Sequence, residues 1–150
     1  MQSTHCLTFP RAELVDADAL ASLRVEAMRE SLERIGRFDE KRARDRLLTA
    51  FDPLATRWVV RDAVKVGFFV LKTIEGGLLL DHLYVQPGAQ KRGIGAAVLA
   101  QCFAEADAAN APIFVGVLRE SAANGFYVRH GFVKTHHTEW DVYYIRRPAA

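Results

Sequence analysis

An α/β fold follows from the way apolar residues are spaced along these 150 residues. Short runs rich in β-branched and aromatic residues alternate with longer segments whose apolar residues recur at helical intervals. The run Leu78 to Val85 is apolar almost throughout, as in a central strand buried on both faces, and a helical pattern opens soon after it.

Taken in order, Leu7 to Arg11 reads as a first strand. Asp16 and Asp18 are placed to cap a helix in which Leu20, Leu23 and Ala27 recur at helical spacing, until Gly36 breaks the pattern. A second helix starts near Asp39, buries Ala43, Leu47, Leu48 and Phe51, and ends before Asp52-Pro53. Trp58 to Arg61 and Val66 to Thr73 are strands joined by a tight turn at Asp62-Ala63. Glu75-Gly76-Gly77 turns the chain into the strand Leu78 to Val85. From about Arg92 to Ala109 a longer helix aligns Ile94, Val98 and Cys102, with Leu99, Phe103 and Ala106 beside them; Asn110-Ala111-Pro112 stops it. A strand from Ile113 to Leu118 follows, then a short helix around Ala122 to His130 closed by Gly131 at the position a C-terminal glycine takes. Val133 to Glu139 and Asp141 to Arg146 complete the order β-α-α-β-β-β-α-β-α-β-β.

Length fits a single domain over residues 1–150 with a core that needs neither disulfide nor metal. With 50% hydrophobic and 25% charged residues the composition is that of an ordinary globular chain, and a net charge of +2 gives no strong field toward nucleic acid. Cys6 and Cys102 form no C-x-x-C pair and read as buried thiols. Met1-Gln2-Ser3-Thr4-His5 shows no basic segment followed by an apolar run, and no apolar stretch reaches the roughly 18 residues of a membrane helix, so a cytoplasmic protein is expected. His130, His136 and His137 lack the spacing of a metal site, and none is expected. Arg29 to Arg46 mixes both signs of charge, as a salt-bridged surface does.

The chemistry concentrates at Gln90-Lys91-Arg92-Gly93-Ile94-Gly95. A strand, a short polar loop and two glycines opening a helix leave backbone N–H groups pointing outward at a helix N-terminus, a site for phosphate or pyrophosphate. Lys91 and Arg92 add positive charge there. No Lys-Ser or Lys-Thr follows Gly95, which excludes a Walker loop, and Val98 stands where a dinucleotide fingerprint needs Gly or Ala. What remains, Q-x-x-G-x-G after His82-Leu83-Tyr84-Val85-Gln86-Pro87, resembles the acetyl-CoA loop of the GNAT superfamily of N-acetyltransferases. The element order matches that superfamily over nearly the full length, and Tyr127 shortly before Gly131-Phe132 is a second point of likeness.

The resemblance implies a central mixed, mostly antiparallel twisted sheet of six to seven strands flanked by about four helices. It implies acetyl-CoA as co-substrate, with Leu83, Val85, Gln90, Lys91, Arg92, Gly93, Ile94 and Gly95 on the cofactor side. Val85 matches the position whose backbone N–H receives the oxyanion. Tyr127 matches the tyrosine that protonates the departing thiolate, since a phenol of pKa ~10 holds its proton at neutral pH. The superfamily's Asn about seven residues earlier is here Glu120, with Ser121 beside it, and Asn124, on the same helix face as Tyr127, is the candidate to take its part.

The acceptor amine must lose a proton before attack, since an alkylamine of pKa ~10 is mostly ammonium at pH 7. Asp81 and His82, just upstream of Val85 and on opposite strand faces, are the candidates for that task, and Glu26 and Glu30 for holding the amine. The expected activity is direct acetyl transfer from acetyl-CoA to an amine of a small molecule, peptide or protein. A longer acyl donor and a non-catalytic acyl-CoA-binding or regulatory module are the alternatives, while an RNA-directed transferase is disfavoured by the near-neutral charge. The aromatic segment Trp140-Asp141-Val142-Tyr143-Tyr144 suggests a homodimer.

Overall fold

The computed structural model describes residues 7–89 and 93–149. The elements are β1 (Leu7–Thr8), α1 (Ala17–Arg34), α2 (Glu40–Leu48), β2 (Thr56–Arg61), β3 (Val64–Ile74), β4 (Gly77–Val85), α3 (Ile94–Ala108), β5 (Ile113–Leu118), α4 (Ala123–Arg129), β6 (Val133–His137) and β7 (Asp141–Arg146). The seven strands form one sheet in the order β1-β2-β3-β4-β5-β7-β6. β4 and β5 run parallel, while β1–β2, β2–β3, β5–β7 and β6–β7 are antiparallel. The mixed, mostly antiparallel sheet and the four helices expected from the sequence are therefore present. Two units can be distinguished by their internal contacts. The first holds the chain up to Val70 and His82 to Gly95; the second holds Leu71 to Asp81 and Ala96 onward.

In the first unit, β2 and β3 form a hairpin whose turn residues Asp62 and Ala63 both have positive φ, 52° and 68°. That is the mirror-image turn whose twist matches a two-residue hairpin. The first strand is shorter than expected, because Pro10 has no N–H to give a ladder. Pro10 instead accepts from Trp58 N–H at 2.8 Å, and Arg11 forms an isolated bridge with Arg57. Leu20, Ala21, Leu23, Leu47, Trp58, Phe68 and Val70 make a continuous buried core. Leu48, expected inside, is 37% exposed. Asp39 caps α2 by accepting from Arg42 N–H at 3.0 Å. Asp16 stands at the N-cap of α1, but its carboxylate turns to Glu13 N–H (2.8 Å) and the indole N–H of Trp58 (3.1 Å).

In the second unit, Val98, Leu99, Cys102 and Ala106 of α3 are buried, as are Ile113, Val115 and Val117 of β5. This is the stripe the helical spacing predicts. Cys6 lies outside the described residues. Chain reversal after β6 puts β7 between β5 and β6, so β6 forms the sheet edge and all five of its residues are exposed. That strand stops at His137 rather than Glu139, where Thr138 N–H bonds to Asp141 O (2.8 Å) in the turn. Arg146 of β7 forks onto Asp107 of α3 at 2.7 and 3.3 Å and covers the Phe103 ring. The arginine bonds and Ala149 N–H hold the Asp107 carboxyl below the usual carboxylate range.

Candidate active site

β4 organises the candidate site, because its end leads directly into the glycine loop. Gln86 N–H still donates to Val66 O of β3 at 2.8 Å, and the ladder ends at Pro87, which has no N–H to give and opens a 3-10 turn, Pro87–Ala89. Gln90, Lys91 and Arg92 lie outside the described residues. Gly93 is exposed with φ +74°, in the left-handed region where a side chain is strained. Ile94, 2% exposed, anchors the first turn of α3, and Gly95 is half-buried. This left-handed glycine stands just before a helix of 15 residues, whose first turn carries N–H groups with no acceptor within the helix. The glycine requirement thus has a backbone cause.

On β4, Leu83 and Val85 are half-buried, and their neighbours His82 and Tyr84 turn toward the helices of the first unit. His82 is 5% exposed. Its Nε2 lies 3.3 Å from Nη1 of Arg46 on α2, and its Nδ1 lies 3.3 Å from the Tyr84 hydroxyl. Arg24 of α1 reaches the same hydroxyl from its Nε at 3.2 Å and donates from Nη1 to Ala43 O at 2.8 Å. The guanidinium also stands 5.6 Å from the centre of the Tyr84 ring. Sequence reasoning found His82 but missed Arg24, Arg46 and Tyr84. One signal was available: Arg24 lies four residues after Leu20 and three before Ala27, on the stripe predicted to be buried. Glu26 and Glu30, the expected amine-holding residues, are both exposed on α1, and Glu30 faces Arg34 at 3.6 Å.

Within the second unit, Asp81 pairs with Lys72 Nζ at 3.2 Å, and its side chain is 13% exposed. Asn124, on α4, brackets the turn after β5. Its amide donates to Leu118 O (3.0 Å), Arg119 O (3.2 Å) and Ser121 O (2.8 Å), and its carbonyl accepts from the Tyr144 hydroxyl at 2.7 Å. Tyr127 is 6% exposed, with Phe126 and Phe132 edge-on to its ring at 5.1 and 5.2 Å. Gly131, φ +93°, ends α4, and Phe132 N–H returns to Tyr127 O at 3.1 Å. The short helix, its tyrosine and the Gly-Phe pair thus form one packed piece. Of the C-terminal tyrosines, Tyr144 is buried and Tyr143 stacks on His136 at 4.6 Å. Among the described residues, no helix is long and apolar enough to cross a membrane.

The fold is similar to that of acetyltransferases of known structure. PaiA N-acetyltransferase from Thermoplasma acidophilum, solved in complex with coenzyme A, superposes with a TM-score of 0.78 at 16% identity, over 94% of this chain and 98% of that one. An acetyltransferase from Thermus thermophilus gives 0.77 at 17% identity, over 97% and 99%. The apo form of YjaB from Escherichia coli gives 0.76 at 17% identity, over 95% and 99%. No curated protein sequence matches the chain. Residues 53–134, more than half of the chain, match the acetyltransferase (GNAT) domain model. The chain belongs to the GNAT acetyltransferase family.

Proposed function

We propose that this protein is an N-acetyltransferase that moves the acetyl group of acetyl-CoA directly onto an acceptor amine. The observation that carries this reading is the left-handed, exposed Gly93 at the head of α3, within a chain of this family. The amides of residues 90–95 hold the pyrophosphate of the donor, with Lys91 and Arg92 supplying positive charge. The thioester supplies an activated acetyl group. As the amine attacks, the carbonyl oxygen gains negative charge and takes a hydrogen bond from the backbone N–H of Val85. When the C–S bond breaks, the Tyr127 hydroxyl gives its proton to the departing sulfur. The acceptor must first shed a proton. Asp81 and His82 are the candidates to receive it; Asp81 is paired with Lys72, and His82 lies between Arg46 and the Tyr84 hydroxyl.

Coenzyme A in the related Thermoplasma acidophilum structure supports the donor assignment. The test is thiol release from acetyl-CoA in the presence of amines, polyamines, amino acids and peptides. Release that depends on one acceptor class, with the N-acetylated product identified by mass, is the expected result. Tight acetyl-CoA binding with no release across the panel would instead make the chain a non-catalytic acyl-CoA-binding module.

A further inference from the structure

The four residues Arg46, His82, Tyr84 and Arg24 form a chain of hydrogen bonds whose direction can be worked out. A guanidinium only donates, so Arg46 Nη1 gives its hydrogen to His82 Nε2 across 3.3 Å. We assign the imidazole proton to Nδ1 on that ground, and Nδ1–H then donates to the Tyr84 oxygen, 3.3 Å away. Arg24 Nε–H donates to the same oxygen at 3.2 Å. Both lone pairs of the Tyr84 oxygen are then taken, and the phenolic hydrogen points to no acceptor among the described residues.

Arg24 raises the same question from its other side. It is 8% exposed, Nε is used by Tyr84 and Nη1 by Ala43 O, yet Nη2 has no acceptor and the guanidinium no carboxylate partner among the described residues. A buried charge without a counter-charge is unfavourable, and folded proteins rarely keep one. Nη2 lies on the same edge of the guanidinium as Nε, so an oxygen placed on Nη2–H also lies beside the Tyr84 hydroxyl that occupies Nε. Arg24 Nη2–H and the Tyr84 hydroxyl are therefore neighbouring donors, one of them charged, with no acceptor among the described residues. They match a small anionic oxygen ligand, which suits an arginine only 8% exposed better than a broad surface would.

Building on the acetyl-transfer reading, we infer that the acceptor is a small amine that also carries a carboxylate, as an amino acid does, and that Arg24 Nη2 and the Tyr84 hydroxyl receive that carboxylate. Lys in place of Arg24 would keep the charge but lose the fork, and Phe in place of Tyr84 would keep the ring but lose the donor.

The experiment compares L-alanine, L-leucine and L-methionine with their C-terminal amides, both as acceptors of acetyl from acetyl-CoA and as ligands in calorimetry. The wild-type protein should favour the acids over the amides by roughly ten- to a hundredfold in both readouts, the range expected when buried donors lose their partner. Tyr84→Phe and Arg24→Lys should shrink that preference, mostly through KM. Equal use and equal binding of acids and amides by the wild-type protein would overturn the inference while leaving acetyl transfer intact. So would variants that lose thermal stability but keep the preference, which is how a purely structural Arg24 behaves. Acid-selective binding without any transfer would instead uphold the carboxylate site and reject the transferase reading.

Discussion

Gly67 on β3 faces the backbone of Tyr84 so closely that a Cβ on the glycine would stand 2.3 Å from the Tyr84 carbonyl oxygen and 3.1 Å from the Val85 Cα. The obstacle is backbone, which cannot rotate aside as a flexible side chain does. Gly67→Ala must therefore displace the Tyr84–Val85 peptide, at a cost of about 1–3 kcal/mol for overpacking. Val85 is the proposed oxyanion donor, so turnover should fall by as much as about a hundredfold, the effect of a misplacement near 1 Å. Coenzyme A affinity, which depends on the loop further along, should change little. Steady-state kinetics beside calorimetry check this, and unchanged kcat in a folded variant would detach Val85 from the chemistry.

Gly93 gives a complementary expectation. Its φ of +74° makes any side chain strained by roughly 1–2 kcal/mol, and Gly93→Glu adds a negative charge where the pyrophosphate is proposed to lie. Gly93→Ala should weaken coenzyme A binding, and Gly93→Glu should abolish it in a protein that remains folded by circular dichroism. Retained affinity in the glutamate variant would place the pyrophosphate elsewhere.

The difference between these two glycines shows what the sequence could and could not disclose. Gly93 lies in a strand-loop-glycine-helix pattern, where local chemistry alone predicts the backbone. Gly67 sits within an ordinary β-rich run, and its importance arises only from a strand that follows a turn away. The same division holds elsewhere. Periodicity located the buried stripe of α3 and the hairpin at Asp62-Ala63, since both rest on neighbours in sequence. Arg24 and Tyr84 are 60 residues apart, and no local rule joins them. Asp16 was legible as a helix-start residue, but its bond to Trp58, 42 residues on, was not. Leu48 was assigned to the core by helical spacing alone, which fixes a stripe but not its edge.

The hairpin turn carries a stability prediction of its own. Asp tolerates the left-handed region, but Ala63 at φ +68° does so at a cost that glycine avoids. Ala63→Gly should stabilise the protein by about 0.5–1 kcal/mol, after allowing for the extra freedom glycine has in the unfolded chain. Urea midpoints of the two proteins measure it. A destabilised glycine variant would mean that the turn tolerates alanine without strain.

Acid should loosen the first unit through Asp16. The Glu13 N–H, the Trp58 indole and, more weakly, Lys65 hold the Asp16 carboxyl below its usual range. The unfolded chain therefore binds a proton more readily than the folded one, and stability from this group is present in full above about pH 4. It is lost as the pH falls through the lower folded value. Asp16→Ala should be less stable at neutral pH and should lose less on acidification. Unfolding midpoints between neutral and strongly acidic pH decide this, and parallel curves for the two proteins would show that Asp16 does not contribute.

Tyr127 offers the sharpest separation of chemistry from packing. The ring is buried against Phe126 and Phe132, so Tyr127→Phe keeps its edge-on contacts and removes the hydroxyl alone. If that hydroxyl protonates the leaving thiolate, turnover should fall by the roughly 10²–10⁴ expected of a positioned general acid, while acetyl-CoA affinity stays close to the parent value. A phenol serving only the core predicts the reverse, a lower unfolding midpoint with turnover kept. Thioesters with poorer leaving groups sharpen the test, because they make proton delivery to sulfur a larger part of the barrier, and the deficit of the variant should grow along that series. A variant as active as the parent with every thioester would show that Tyr127 packs but does not protonate.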